Sequence, residues 1–512
     1  MKSNLFDIDF IRIHFLHMNI PKSKNFWILQ GSNVQNKLWI LFCLVFLVGK
    51  IAFTFLQHKD SILDGDMPGG ILPSSELDML WANPLGISTI LSDTTYANPN
   101  RFFSHWTFYH YFNLVPAKLQ LWFDPIDSVY ISCAIIKTFA QLCLIILLSM
   151  AVCSQFKSSK SFLLIAAMII TPLFQTNGFQ SRMGIIDPSV SYLFFYGMPI
   201  IFVILYFIPA FLSWHNRNVF RPGRYLILYL VVVALFSAFS GPLNSGVALI
   251  LSLLILWRDN ESVKLVGKNG LSQKWQIISQ IFYRNYWLLP IVLLSAYSLL
   301  LGTHNSINAA NPHHLWDLYK QLPQGLFYLL TEKIAWLVLI FSIIVLYLFV
   351  HSNVGEDQRL KLKITVKFIL AFSIFYLLLL PLGGFRPYRP HIIRYDTFLP
   401  ITLASIFLLS MLAYHALFIH HSGYSNLIRM YVLGLVLFFT ISDAKITQQN
   451  KCQRMMLSKL RETRSPVVQL SQECTILSWS QIQNSTESLS QARLINRWGI
   501  TDSLRLFEQV RD

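Results

Sequence analysis

Long apolar runs dominate this chain and limit what it can fold into. Runs near twenty residues long, rich in Phe, Leu and Ile, recur between residues 38 and 443. A helix of about twenty apolar residues crosses the hydrocarbon core of a bilayer, which is roughly 30 Å thick. Only 13% of the residues are charged, whereas soluble globular proteins carry about a quarter. The sequence therefore predicts an all-α polytopic membrane protein.

Hydropathy divides the chain into about eleven transmembrane helices, with an error of one or two. The short runs within 225–257, separated by "SGPLNSG", are consistent with either a helical hairpin or one kinked element. The predicted spans are 38–56, 128–153, 161–175, 189–213, 225–240, 243–257, 286–302, 334–350, 364–382, 397–418 and 427–443. They form a membrane domain over 38–443, between an N-terminal segment, 1–37, and a polar tail, 444–512.

The loop charges assign the two sides of the membrane. Lys and Arg gather before the first span and after the second, fourth, sixth and eighth spans, as expected of cytoplasmic loops. The loop 57–127 carries eight acidic and three basic residues, which places it outside. An odd number of spans then leaves segment 1–37 in the cytoplasm and the tail 444–512 outside. Retained basic loops also explain the net charge of +16, so no nucleic-acid partner is expected.

The stretch "GGFRPYRPHIIRYDTFLP", residues 383–400, carries positive charge on the predicted outer side. Its Arg386, Arg389 and Arg394 run against the charge bias of outer loops. One explanation is pairing with acids of the first outer loop or with helix ends. The other is an anionic ligand, because guanidinium groups bind phosphate through two parallel hydrogen bonds. Charge at membrane level often marks a functional site.

The first outer loop opens with "QHKDSILDGDMPGG", which contains Asp64 and Asp66 as a D-x-D pair. Carboxylates at this spacing can hold a divalent cation such as Mg²⁺ or Mn²⁺, which takes oxygen ligands. One of them can instead accept a proton from an attacking hydroxyl group. A solvated acidic turn is the third interpretation. Further along, the aromatic segment 98–123 predicts a helix in the interface plane of the membrane.

Two more outer loops contribute candidate polar groups. "FQTNGFQSRMGIIDPSVS" supplies Arg182 and Asp187, and "GTHNSINAANPHHLWDLYKQLPQG" supplies His313. Arg182 is a candidate for phosphate binding and Asp187 for a second carboxylate. His313 is a candidate for hydrogen bonding or proton transfer, although an ordinary surface loop is the favoured explanation.

The tail 444–512 has the pattern of a small α/β unit. "SPVVQLSQECTILSWSQI" favours a strand and "SLSQARLINRWGI" favours a helix. Cys452 and Cys474 lie in this tail and can pair if it faces an oxidising compartment. The other four cysteines lie in or beside apolar runs and fit the role of small core side chains.

The layout resembles the GT-C class of membrane glycosyltransferases. These enzymes have many spans, a long first outer loop with an early acidic residue, interfacial helices and often an outer C-terminal domain. The resemblance implies transfer of a sugar from a polyprenyl-phosphate donor to a glycan, lipid or protein acceptor. It also implies a role in cell-envelope polysaccharide or glycolipid synthesis. The compact loops and the lack of a recognisable targeting signal favour a bacterial plasma membrane as the location, with an endoplasmic reticulum membrane as the alternative.

The same resemblance implies roles for the candidate residues. Asp64 or Asp66 would act as the base or as a ligand of a cation. Arg386, Arg389 and Arg394 would bind the donor phosphate, with Asp396 orienting them. Three alternatives remain: a transporter or flippase, a polysaccharide ligase, and a non-catalytic membrane protein. The chain shows no internal repeat, and its ionisable residues cluster in the loops of one face, which favours the enzyme over a transporter.

Overall fold

The computed structural model of the chain describes residues 33–154, 160–174, 185–215, 220–264, 279–309, 314–332, 334–384, 391–419, 422–443, 445 and 447–510. Its helices up to the middle of the chain are α1 (Asn33–Lys59), α2 (Met67–Ile71), α3 (Ser75–Ala82), α4 (Ile87–Ser92), α5 (Phe102–Leu119), α6 (Pro125–Cys153), α7 (Lys160–Ile170), α8 (Val190–Ser213, with a π-helical turn at Leu193–Gly197), α9 (Arg224–Ala238) and α10 (Pro242–Lys264). The later helices are α11 (Leu289–Gly302), α12 (Ser306–Ala309), α13 (Leu315–Thr331), α14 (Ile334–Asn353), α15 (Glu356–Leu379), α16 (Tyr395–Leu417), α17 (Ser425–Ile441), α18 (Lys451–Glu462) and α19 (Leu489–Arg497). Short 3₁₀ turns occupy Thr171–Leu173, Tyr286–Leu288, Leu380–Gly383 and Ser485–Ser488.

Long apolar helices confirm the prediction of an all-α membrane protein. Within the described residues, seven helices are long and apolar enough to cross a bilayer: α1, α6, α8, α10, α14, α15 and α16. Four shorter apolar helices, Leu163–Leu173, Arg224–Ala238, Tyr286–Gly302 and Ser425–Ile441, occupy the remaining predicted spans. Because these four fall short of about twenty residues, a count of eleven crossings stays a prediction.

The helices α6 and α16 lie at the centre of the bundle. Most of their side chains are buried, whereas α1 and α15 present most of theirs outward. On α1 the outward side chains include Leu41, Val45 and Val48, which suit contact with lipid. The start of α6 follows from its sequence, since Asp124 accepts a hydrogen bond from the Ile126 N–H (2.9 Å) and Pro125 occupies the first turn.

The tail forms the small α/β unit that the sequence predicted. The parallel strands β1 (Val467–Ser471) and β2 (Leu506–Val510) pair in register from Val467 with Leu506 to Ser471 with Val510. The strand β1 and the helix α19 lie within the segments that predicted them. Cys452 and Cys474 form a disulfide that links α18 to the segment after β1. That predicted pairing is confirmed.

The C-terminal unit packs on the loop that follows α1. Gln453 accepts a hydrogen bond from the Leu63 N–H (2.9 Å) and donates to the Leu63 carbonyl (3.1 Å). Arg454 forms an ion pair with Asp127 (2.7 Å) at the start of α6. The Trp498 indole donates to a carbonyl of α5 (3.2 Å), the helix predicted for the aromatic segment 98–123. These contacts place the first loop, α5 and the C-terminal unit at one end of the bundle.

Candidate functional site

Asp64 is buried at the end of the bundle, a few residues beyond α1. Its side chain has almost no contact with solvent. Its Oδ2 accepts a hydrogen bond from the Ser191 N–H (3.1 Å) and its Oδ1 from the Asp66 N–H (3.1 Å). Burial raises the pKa of the Asp64 carboxyl, and the negative charge of Asp66 adds to this rise. A carboxyl group with a raised pKa suits a general base.

The Asp66 side chain contacts the C-terminal unit. Its Oδ1 accepts a hydrogen bond from the Trp479 indole N–H (2.8 Å). The Trp479 ring in turn stacks on Tyr192 of α8, with ring centroids 6.1 Å apart. The two aspartates of the D-x-D pair therefore have different surroundings, one inside the bundle and one at the contact between the loop and the C-terminal unit.

Among the described residues, Asp64 and Asp66 are not joined by further side chains that would complete the predicted cation site. In the described part of the chain, no three His, Cys, Asp or Glu side chains come together in a way that could hold a metal ion. The oxygens of Asp64 already accept backbone hydrogen bonds, and Asp66 is bonded to an indole. The cation stays a prediction, and no step below depends on it.

Asp187 is the second carboxylate of the site. It lies just before α8, buried, and its Oδ1 accepts a hydrogen bond from the Ser189 N–H (2.8 Å). Burial raises its pKa, and the nearby charges of Asp396 and Asp64 raise it further, while Lys137 acts in the opposite direction. Acids from the first loop, the predicted outer loop before α8 and the start of α16 therefore come close enough to influence one another.

Lys137 is a functional candidate that our sequence reasoning missed. It lies in the middle of α6 and is completely buried. Its ammonium group donates to the Ser61 hydroxyl (3.2 Å) and to the carbonyl of Pro188, and the charges of Asp187 and Asp64 act on it. An ionisable residue inside an apolar span is costly and usually functional. The lone lysine in the run 128–153 was the available signal.

Arg394 and Asp396 form a fixed ion pair at the start of α16. Both side chains are mostly buried. The Arg394 N–H donates to the Thr397 hydroxyl (2.9 Å), and Asp396 accepts from the Thr397 N–H (2.8 Å). A tyrosine hydroxyl of α15, that of Tyr376, donates to the Thr397 carbonyl (2.6 Å). The partner of Arg394 is thus the neighbouring Asp396, and first-loop acids do not supply this contact.

Four candidate residues fall outside the described part of the chain. These are Arg182, His313, Arg386 and Arg389. Their proposed contacts with a phosphate or another substrate group stay predictions. The described portion of the predicted phosphate site is therefore the Arg394–Asp396 pair.

The described site combines three buried carboxylates and an arginine toward one end of an apolar bundle with a lysine further inside it, in the middle of α6. Such an arrangement can move a proton and stabilise negative charge away from bulk water, where electrostatic interactions are strong. No protein-family model, no curated protein and no solved structure matches the chain. The functional reading therefore depends on this geometry.

Proposed function

We propose that this protein is an integral membrane glycosyltransferase that transfers a sugar from a lipid-linked phosphate donor to an acceptor on the outer face. The observation that carries the proposal is the convergence of Asp64, Asp187 and the Arg394–Asp396 pair at one end of the bundle. A lipid phosphate lies at the membrane surface, so a site for it needs fixed positive charge beside apolar helices.

The residues fit the two halves of a transfer reaction. The acceptor hydroxyl oxygen attacks the anomeric carbon, and Asp64 takes the hydroxyl proton as general base. The bond from the anomeric carbon to the phosphate oxygen breaks, and the phosphate leaves with the electron pair. Arg394, held in place by Asp396, stabilises the charge that develops on the leaving phosphate. Lys137 supplies compensating positive charge near Asp64 and Asp187, and the Ser191 and Asp66 N–H groups hold the Asp64 carboxylate in place.

The orientation of the chain follows from the same proposal. The Cys452–Cys474 disulfide supports an oxidising compartment for the C-terminal unit, because disulfides persist outside the cytosol. The contacts of this unit with the first loop put Asp64 on the same side. A bacterial plasma membrane with the C-terminus outside accords with this arrangement.

The decisive variant is Asp64→Asn, which keeps the shape of the side chain and removes its basicity. We expect transfer to fall about a hundredfold or more, in line with the usual contribution of a general base. The measurement is the profile of lipid-linked saccharides and surface glycans in host cells that express only the variant. Asp93→Asn, an exposed position on the same loop, is the matched control. Unchanged glycans with Asp64→Asn would rule out the proposal.

A transporter is the second candidate, and buried charge inside the spans favours it. Lys50 of α1 forms a buried ion pair with Asp443 (2.9 Å), and Lys137 is buried in α6. Such groups often mark ion or substrate paths. The Asp64→Asn profile separates the candidates: a transporter defect leaves completed saccharides on the cytoplasmic side, whereas a transferase defect leaves unused donor on the outer side.

A further inference from the structure

A large apolar cavity lies within the membrane domain, apart from the carboxylate cluster. Its volume is about 530 Å³. Its walls come from α6, α8, α10, α15 and α16. The wall side chains include Val203, Phe207, Leu251, Phe368, Leu403 and Phe407. A cavity with such walls accepts hydrocarbon and disfavours water.

The cavity reaches the end of the bundle that lies opposite Asp64. At its near end, Phe372 and Pro400 lie one helical turn from Tyr376 and Asp396 of the candidate site. At its far end lies Arg258, about 24 Å along α10 from the first residue of that helix at 1.5 Å per residue. The α10 wall of the cavity runs from Val247 to Asp259, about 18 Å at 1.5 Å per residue, and ends toward the side of the bundle opposite Asp64.

Among the described wall residues, the charged side chains lie only at that far end. Asp259 accepts hydrogen bonds from the Arg258 Nη2 (2.8 Å) and from the Asn285 Nδ2 (2.9 Å). This carboxylate balances the charge of Arg258. Arg284 also lines the cavity, is exposed, and forms no ion pair with any described residue. The described wall residues therefore carry one net positive charge.

We propose that this cavity binds an anionic phospholipid from the leaflet opposite the candidate site. The lipid phosphate contacts Arg284, and the acyl chains enter the space between α8, α10, α15 and α16. A phosphodiester carries one negative charge, which matches the net charge of the polar end. A soluble anion gains no binding free energy from the apolar walls. A lipid without net charge is attracted less strongly by Arg284. This binding does not depend on the glycosyltransferase proposal.

The bound lipid would support the packing of α16, the helix that links the cavity to the candidate site. The helix α16 carries the Arg394–Asp396 pair at one end and the cavity-lining residues Leu403 and Phe407 further along. Acyl chains in the cavity fill the space beside α16. If the cavity were empty, its wall side chains would have no neighbouring atoms on that side and would lose dispersion contacts.

The first test compares two lipids on the purified, delipidated full chain by native mass spectrometry. The probes are dioleoyl phosphatidylglycerol, which is anionic, and dioleoyl phosphatidylcholine, which has no net charge. We expect tighter binding of phosphatidylglycerol to the wild-type chain, and about tenfold weaker binding to Arg284→Gln, since a charge-assisted contact is lost. Arg284→Lys should retain most of the affinity. Arg221→Gln changes an exposed basic residue outside the cavity wall and should bind as the wild type does.

The second test fills the cavity. Ala404→Trp places an indole where the acyl chains would lie and should abolish retention of phosphatidylglycerol. Leu370→Trp, on the outward face of α15, is its control and should have no effect. Equal binding of the two lipids, or phosphatidylglycerol binding that survives Arg284→Gln, would overturn the proposal. Because Arg284 is exposed, we expect Arg284→Gln to fold. Its lipid binding therefore tests the proposal even if Ala404→Trp fails to fold.

Discussion

At the scale of single residues, the two aspartates of the D-x-D pair show how position decides chemistry. Asp64 lies inside the bundle, where its oxygens accept two backbone N–H groups, and Asp66 lies at the contact with Trp479. Desolvation disfavours the charged form of a carboxyl group, whereas hydrogen bonds from N–H groups favour it. For Asp64 desolvation is the larger effect, so its proton affinity is raised.

The pH dependence of transfer should report this raised pKa. A general base works only when deprotonated, so activity should rise with pH as Asp64 loses its proton. Because the pKa of Asp64 is raised, this acidic limb should lie above the ordinary aspartate value of about 3.9. Asp66→Asn removes a nearby negative charge and should move the limb to lower pH.

The measurement is the initial rate of transfer across a pH series in membranes, with wild type and Asp66→Asn prepared in parallel. Asp93→Asn serves as the control, since its side chain is almost fully exposed and should leave the limb in place. A limb that stays fixed in Asp66→Asn would show that Asp64 is not the titrating base.

At the scale of structural elements, the turn after α1 depends on its contact with the C-terminal unit. A Cβ atom on Gly65 would lie 2.6 Å from the Trp479 backbone N and 2.8 Å from the Ser478 carbonyl carbon. Backbone atoms cannot move aside as the end of a flexible side chain can. Gly65 therefore allows the close approach that lets Trp479 reach Asp66.

We expect Gly65→Ala to weaken this contact and destabilise the protein by about 1–3 kcal/mol, the usual cost of overpacking. The matched control is Gly69→Ala, four residues on, where a Cβ atom would meet nothing within 4 Å. It should change stability by less than about 0.5 kcal/mol. Thermal unfolding of both variants in the same detergent, together with protease sensitivity of the C-terminal unit, provides the comparison. Equal unfolding temperatures would contradict the role given to Gly65.

Sequence patterns predicted the elements better than the contacts between them. The positions of the long helices follow from hydropathy, because a backbone in lipid must satisfy its own hydrogen bonds. The sequence identified Asp64 and Asp66 as candidate acids after the first span and did not distinguish between them. The contacts of the pair were not predictable, because Ser191, which donates to Asp64, and Trp479, which donates to Asp66, lie far along the chain and their approach depends on packing. Lys137 was overlooked although a lysine within an apolar run was visible.

At the scale of the whole molecule, the two ends of the bundle have different chemistry. The end with Asp64 and Asp396 also carries the disulfide-bonded C-terminal unit. The opposite end carries Arg258 and Arg284, the charge expected of a cytoplasmic surface. Loop charge, disulfide chemistry and the carboxylate cluster all accord with the proposed orientation, in which transfer occurs outside the cytoplasm.

This orientation can be tested with two single cysteines at opposite ends. Ser490 is exposed in the C-terminal unit, and Ser352 is exposed at the end of α14. The other end of α14 adjoins Glu332, which accepts a hydrogen bond from Tyr395 (3.3 Å) beside the candidate site. Ser352 thus lies about 27 Å from the first residue of α14 along the helix. In intact cells, a membrane-impermeant maleimide should label Ser490→Cys and should reach Ser352→Cys only after permeabilisation.

The unsubstituted chain is the control for this labelling, because three of its four free cysteines are buried and the fourth is half-buried. Labelling of Ser352→Cys but not Ser490→Cys in intact cells would place the carboxylate cluster in the cytoplasm. An outer-face transfer reaction would then be impossible, since Asp64 shares its end of the bundle with the C-terminal unit through the Asp66–Trp479 and Leu63–Gln453 contacts. The expected pattern would instead put the Arg394–Asp396 pair where a lipid-linked donor in the outer leaflet presents its phosphate.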